Sequence, residues 1–139
     1  MINKGLYTSL TDEWATPQNF FDDLDAEFHF TLDVCATTAN AKCSKFYTKA
    51  DNGLTKIWGG ERVFCNPPYG KLIGEWVRKC RAEADKGTLV VGLLPARTDT
   101  RWFHEYIYQK SKEIRFIKGR LKFGNSKNSA PFPSMIIIF

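Results

Sequence analysis

An amide, two prolines and a phenol follow one another at Asn66-Pro67-Pro68-Tyr69, directly after the apolar run Val63-Phe64-Cys65. Each proline lacks the N–H that a sheet ladder needs, so a strand arriving here must stop in a rigid corner. Open α/β folds hold their ligands outside the carboxyl ends of their strands. At such an edge the corner would bring an amide oxygen, a backbone carbonyl and an aromatic face to one spot. Those groups suit a planar amine. Asn66 Oδ1 and the Pro67 carbonyl would accept its two hydrogens, and Tyr69 would stack on the attached ring. Asn66, Pro67 and Tyr69 are therefore the candidate catalytic residues. The plainer alternative is a Pro-Pro turn that only leads the chain out of a strand.

The elements that must position this corner can be read from spacing. Thr16-Pro17 looks like an N-cap with proline at the first helical position. Phe20, Phe21, Leu24 and Phe28 then form a helical stripe. Phe30 to Ala36 reads as a first buried strand with Asp33 inside it. About 25 residues separate it from the strand Glu61–Cys65, too few for a full pair of βα units. This edge of the sheet is expected to be abbreviated. Leu72, Ile73, Trp76, Val77, Cys80 and Ala84 mark the next helix, and Leu89–Leu94 the next strand. Trp102, Phe103, Tyr106 and Ile107 repeat the helical stripe, with Asp99 as its expected cap. Strands over Ile114–Ile117 and Met135–Phe139 follow, joined through the polar loop Gly124–Ser129 and Pro131-Phe132-Pro133. Strands alternating with helices imply an α/β fold: a mainly parallel sheet covered on both faces.

With 139 residues the chain suffices for one domain with a real core, and 43% hydrophobic content is that of a globular protein. No apolar stretch reaches the length of a membrane span, and Met1-Ile2-Asn3-Lys4 does not read as a secretion signal. The chain stops inside an apolar run, which reads as a trimmed terminus. Cys35, Cys43, Cys65 and Cys80 contain no C-x-x-C pair and are accompanied by two histidines. That is poor metal spacing, so no metal is expected, and reduced thiols in a cytoplasm fit better. Charge is polarised: residues 1–33 carry Lys4 alone against seven acids, and residues 110–139 carry seven bases against Glu113 alone. A basic C-terminal third suits a polyanion such as nucleic acid, although a solvated lysine-rich surface would look the same.

With this order of elements, the chain resembles the phage-type DNA N6-adenine methyltransferases, small enzymes of the N-P-P-Y group that use S-adenosylmethionine (SAM). The resemblance runs from Trp14-Ala15-Thr16-Pro17 through Leu32-Asp33-Val34-Cys35-Ala36 and Cys65-Asn66-Pro67-Pro68-Tyr69-Gly70. It continues in Leu94-Pro95-Ala96-Arg97-Thr98-Asp99 and Gly119-Arg120-Leu121-Lys122-Phe123-Gly124. It implies a single Rossmann-like methyltransferase domain over residues 1–139, working on DNA in a bacterial host cell. SAM is expected across the end of the first strand, at Asp33, Cys35 and Ala36, with Asp33 meeting its amino group. Asp51 would meet the adenosine end, Thr16 and Pro17 would close over the carboxylate, and Trp14 (and Trp58) would wall the pocket beside Asn66. A flipped adenine would lie between Tyr69 and a second ring, Phe123 first and Phe132 as runner-up. Arg97, Arg101, Lys118, Arg120, Lys122 and Lys127 would track the DNA backbone. One departure stands out: Ala36-Thr37-Thr38-Ala39-Asn40-Ala41 occupies the place of the Gly-x-Gly common among SAM-binding proteins.

N-P-P-Y is shared with methylases of RNA adenine and of protein glutamine, and a decayed methylase that only holds nucleic acid would also fit. The basic C-terminal third argues against the protein substrate and does not separate RNA from DNA. No segment is available as an added recognition region, so recognition rests on loops or on a second subunit such as another copy of the chain.

Overall fold

The computed structural model describes residues 14–124 and 129–139. Helix α1, Gln18–Phe28, buries Phe21, Leu24 and Phe28 along one stripe and ends at His29 in the left-handed region. There Asp25 closes the helix twice, its carbonyl accepting from the His29 N–H (2.8 Å) and its carboxylate from the Phe30 N–H (2.8 Å). Strands β1, Leu32–Asp33, and β2, Lys45–Phe46, are short. A 3-10 turn, Gly53–Thr55, leads to β3, Arg62–Cys65. Helix α2, Ile73–Asp85, then precedes β4, Leu89–Pro95. Helix α3, Arg101–Tyr106, β5, Glu113–Phe116, and β6, Ser134–Ile138, complete the order.

The six strands form one sheet in the order β2-β1-β3-β4-β6-β5. From β2 to β4 all neighbours are parallel, while β6 is antiparallel to both β4 and β5. The expected mainly parallel sheet is present, with β6 inserted between β4 and β5. Among the described residues no helix crosses over between β5 and β6, and without a crossover two consecutive strands pair antiparallel. Successive side chains of β3 and β4 point to opposite faces. Phe64, Val91 and Leu93 pack with α1 on one face, and Val63, Cys65, Val90 and Leu94 pack with Trp76, Val77 and Cys80 of α2 on the other. With both faces covered, β4 can be apolar throughout, as Leu-Val-Val-Gly-Leu-Leu-Pro is.

Three local expectations change. The first strand, expected over Phe30–Ala36, keeps only Leu32–Asp33 in the ladder proper, because beyond Asp33 the side chain turns back to take the Cys35 N–H (3.3 Å). Pro17, not Thr16, occupies the cap of α1, since the Pro17 carbonyl receives the first helical N–H, that of Phe21 (3.0 Å). Thr100 rather than Asp99 caps α3: its hydroxyl accepts from the Phe103 N–H and donates to the Arg97 carbonyl (2.8 Å).

The carboxyl ends of β1, β3 and β4 lie along one edge, and β5 runs in the same sense as β4. From β1 the chain goes to β2 on one side, while β3 lies on the other. That reversal is the topological switch point at which open α/β sheets leave a crevice.

Candidate active site

The crevice is a cleft of about 960 Å³ between the ends of β1 and β3. Asp33, Val34, Cys35 and Ala36 line one side and Asn66, Pro67 and Pro68 the other. Trp14 and Thr16 form part of its wall, and Leu54, Leu72 and Trp76 give it an apolar end. Trp58, considered above as a wall, is instead wholly buried core.

Asn66 leaves β3 at the corner imposed by Pro67 and Pro68. Its Nδ2 donates to the Trp14 carbonyl and to Thr16 Oγ1 (3.0 Å). Its Oδ1 is buried and accepts no hydrogen bond among the described residues. An unmatched buried acceptor costs about 1–3 kcal/mol and is uncommon in native proteins. An acceptor left in that state on a residue that lines a cleft is suited to a donor brought by a ligand.

Asp33 is buried too, yet its carboxylate is not bare: Oδ1 accepts from the Cys35 N–H (3.3 Å) and Oδ2 from the Lys42 N–H (3.0 Å). Burial outweighs these bonds and pushes its pKa up to about 6. A carboxylate so desolvated favours a cation beside it.

The other rim of the cleft comes from Asn52, Gly53 and Leu54, which spacing did not single out. Asn52 adopts φ 57° and its side chain accepts from the Leu54 N–H. A Cβ at Gly53 would stand 2.4 Å from the Val34 carbonyl oxygen, so only glycine fits against the end of β1. The signal in the sequence was the Asp-Asn-Gly turn, but its packing partner lies outside any local window. Asp51 does not line the cleft. Its carboxylate takes the Thr48 N–H (2.9 Å) and hydroxyl (3.1 Å), and those bonds hold its pKa below the usual value. Pro17 is likewise outside the lining, at the start of α1.

Tyr69 lies beside the cleft under other rings. It is 6% exposed, and its hydroxyl donates to the Leu93 carbonyl (2.9 Å). Phe123 and Phe132 meet it edge-on at 6.3 and 5.5 Å, and Trp14 meets both phenylalanines edge-on at 5.6 and 5.2 Å. The two candidate second rings are thus both present in one closed cluster, and a base can stack on Tyr69 only after a ring moves.

Arg97, Arg101, Lys118, Arg120 and Lys122 are exposed. They leave from β4 and β5 at the same sheet edge as Asn66; Arg101 pairs with Glu105, and Arg120 donates to the Ala130 carbonyl (3.4 Å). Lys127 lies outside the described residues. Among the described residues no three His, Cys, Asp or Glu side chains converge, and no helix is long and apolar enough to cross a membrane.

Comparison with known proteins shows which family the chain is similar to. The family described as DNA N-6-adenine-methyltransferase (Dam) matches residues 4–139. A DNA N-6-adenine-methyltransferase of Haemophilus phage HP1 is 32% identical over 136 residues, spanning 92% of this chain and 78% of that protein. One of Escherichia phage T1 is 32% identical over 115 residues, covering 81% of this chain and 48% of that longer protein, so the chain spans about half of it.

Proposed function

Because the chain belongs to the DNA N-6-adenine-methyltransferase family, we propose that its cleft transfers a methyl group from SAM to N6 of a DNA adenine. The observation that carries this reading is the buried, unmatched Oδ1 of Asn66 beside the cleft. The lone pair of an adenine amine is delocalised into its ring. With Asn66 Oδ1 and the Pro67 carbonyl each holding one amine hydrogen, the nitrogen is drawn toward tetrahedral geometry and the lone pair gathers on it. Rate comes from orientation and aligned dipoles, so no strong base is required. Methyl transfer from labelled SAM to duplex DNA, with RNA and protein offered in parallel, tests the assignment. Label on glutamine, or on RNA alone, would overturn it.

The residues present fit SAM. The cleft volume is that of a small-molecule site. Asp33 would face the amino group, the backbone at Cys35 and Ala36 would lie beside the methionine part, and the apolar end at Leu54 and Trp76 would take the adenine. Gly53 lets the rim of that end pack directly against the Val34 carbonyl and the Trp76 ring, where a side chain would collide. When bound, SAM supplies a methyl group carried on a sulfonium. The cytoplasm of a bacterial host is the expected setting, consistent with free thiols and with relatives encoded by phages.

Asp33 gives this reading a pH signature. Its folded pKa, raised to about 6, means that its contribution to the stability of the free protein is present below the ordinary carboxylate range and lost as pH rises through about 6. A bound ammonium reverses that preference, because it requires the ionised form. SAM affinity should therefore rise between pH 5 and 7 and level off above. Calorimetric titration should show this slope in the wild type and a weaker, flat profile in Asp33→Asn. A wild-type profile that is flat through this range would remove Asp33 from the ammonium site.

The aromatic cluster makes a separate prediction. Phe123→Ala and Phe132→Ala each uncover Tyr69, but only loss of the ring that stacks on the base should weaken productive binding, by about 1–3 kcal/mol. The loss should shrink on mispaired targets, where less unstacking energy is recovered. Tyr69→Phe should keep flipping and sacrifice about 1 kcal/mol of stability with its bond to the Leu93 carbonyl. Fluorescence of 2-aminopurine at the target, with thermal melts, separates these effects. Unaltered flipping in both phenylalanine variants would make the cluster plain core.

A further inference from the structure

An asparagine amide has two ends of nearly equal shape, and only one of them can accept a hydrogen from the target amine. Asn66 can serve only if its amide is held with Oδ1 toward the substrate. The Trp14 carbonyl decides which end faces it, because a carbonyl oxygen only accepts, so the atom against it must be Nδ2. Turning the amide over would set two acceptors face to face with no proton between them. Thr16 Oγ1, 3.0 Å from Nδ2, takes the second N–H and fixes the amide plane; Thr16 itself is 5% exposed.

The segment that carries these two acceptors is tied at three points. The Ala15 carbonyl accepts from the Gly124 N–H (2.7 Å), the Trp14 ring lies against Phe123 and Phe132, and Pro17 opens α1. The Thr16 hydroxyl, released from helix capping, is therefore available to Asn66. We infer that Trp14–Thr16 is a positioning strap for methyl transfer, with Thr16 acting through the orientation of the Asn66 amide rather than through contact with SAM. This inference rests on Asn66 as the acceptor of the target amine.

Thr16→Val removes the hydroxyl at nearly constant volume, and Thr16→Ser keeps it. At saturating SAM, Thr16→Val should lower kcat by about tenfold to a hundredfold, the scale of a misaligned reacting group. Its Kd for SAM, measured by calorimetry, should stay within about twofold of the wild type, and Thr16→Ser should recover most of the rate. A raised Kd for SAM with kcat intact would make Thr16 a cofactor contact and overturn the inference. So would a Thr16→Val enzyme with both values unchanged, or a Thr16→Ser enzyme as slow as Thr16→Val. A wild-type protein that binds SAM but methylates no adenine would instead sink the reading of the site itself, and the strap with it.

Discussion

Asn66→Ala is expected to slow methyl transfer by about 10²–10³-fold, the scale seen when one oriented polar contact to a transition state is removed. Affinity for SAM should stay within a few fold. The reason for this split is geometric. Asn66 spends its Nδ2 protons on the Trp14 carbonyl and the Thr16 hydroxyl, and its Oδ1 has no partner among the described residues. On the proposed reading the atom removed is the one that accepts from the target amine, while the cofactor is expected at Asp33 and along the end of β1. Single-turnover kinetics at saturating SAM, beside calorimetric binding, measure the two quantities separately. A variant as fast as the wild type would end the assignment. A defect confined to SAM affinity would move Asn66 into the cofactor site.

Trp58→Ala should cost about 3–5 kcal/mol of folding stability, the range for deleting a buried aromatic side chain. Trp58 is wholly buried and packs on Trp76 with ring centroids 6.5 Å apart. It also ties two segments together. Its Nε1 donates to the Gly53 carbonyl (3.0 Å), and its backbone N–H donates to Glu83 (3.1 Å). Glu83 is itself buried, and although burial opposes its charge, Lys79, the Trp58 N–H and Lys86 hold its pKa below the ordinary value. Domains of this kind have about 5–15 kcal/mol in total, so the variant should be close to unfolding at physiological temperature. Because Gly53 forms the rim of the cleft against Val34, weaker SAM binding should accompany the loss. Urea unfolding gives the stability change, provided the slope is unchanged. Trp58→Phe, which keeps a ring but loses the N–H, should cost less, about 1–3 kcal/mol. A Trp58→Ala protein within about 1 kcal/mol of the wild type would show that the Gly53 turn stands without it.

Much of the site was legible because its signals are local. Two prolines after Val63-Phe64-Cys65 end a strand wherever that strand is placed, and an aspartate amid Leu32, Val34 and Cys35 must be bonded or ligand-facing. The abbreviated edge followed from counting residues between β1 and β3. The basic residues after β4 and β5 were legible as charge, and their shared edge followed once both strands were found to run in the same sense.

Partners far apart in the chain were not legible. Thr16 has the composition of a helix cap, and it does not cap α1; its hydroxyl meets Asn66, 50 positions away. Asp99 looked like the cap of α3, but Thr100 is the residue whose hydroxyl reaches the Phe103 N–H. Asp51 looked available to a ribose and is turned onto Thr48, whereas Gly53, two residues on, meets the end of β1. The closure of Trp14, Phe123 and Phe132 over Tyr69 also has no trace in spacing.

The sequence by itself determined the α/β class, the corner at Asn66 and the buried carboxylate at Asp33. Periodicity, missing N–H groups and the cost of burying charge act within a few residues. Only the tertiary structure decided where β6 enters the sheet, which end of the Asn66 amide is free and which rings cover Tyr69. Those outcomes depend on close packing between segments distant in the chain, where a few tenths of an ångström choose one hydrogen-bond partner over another.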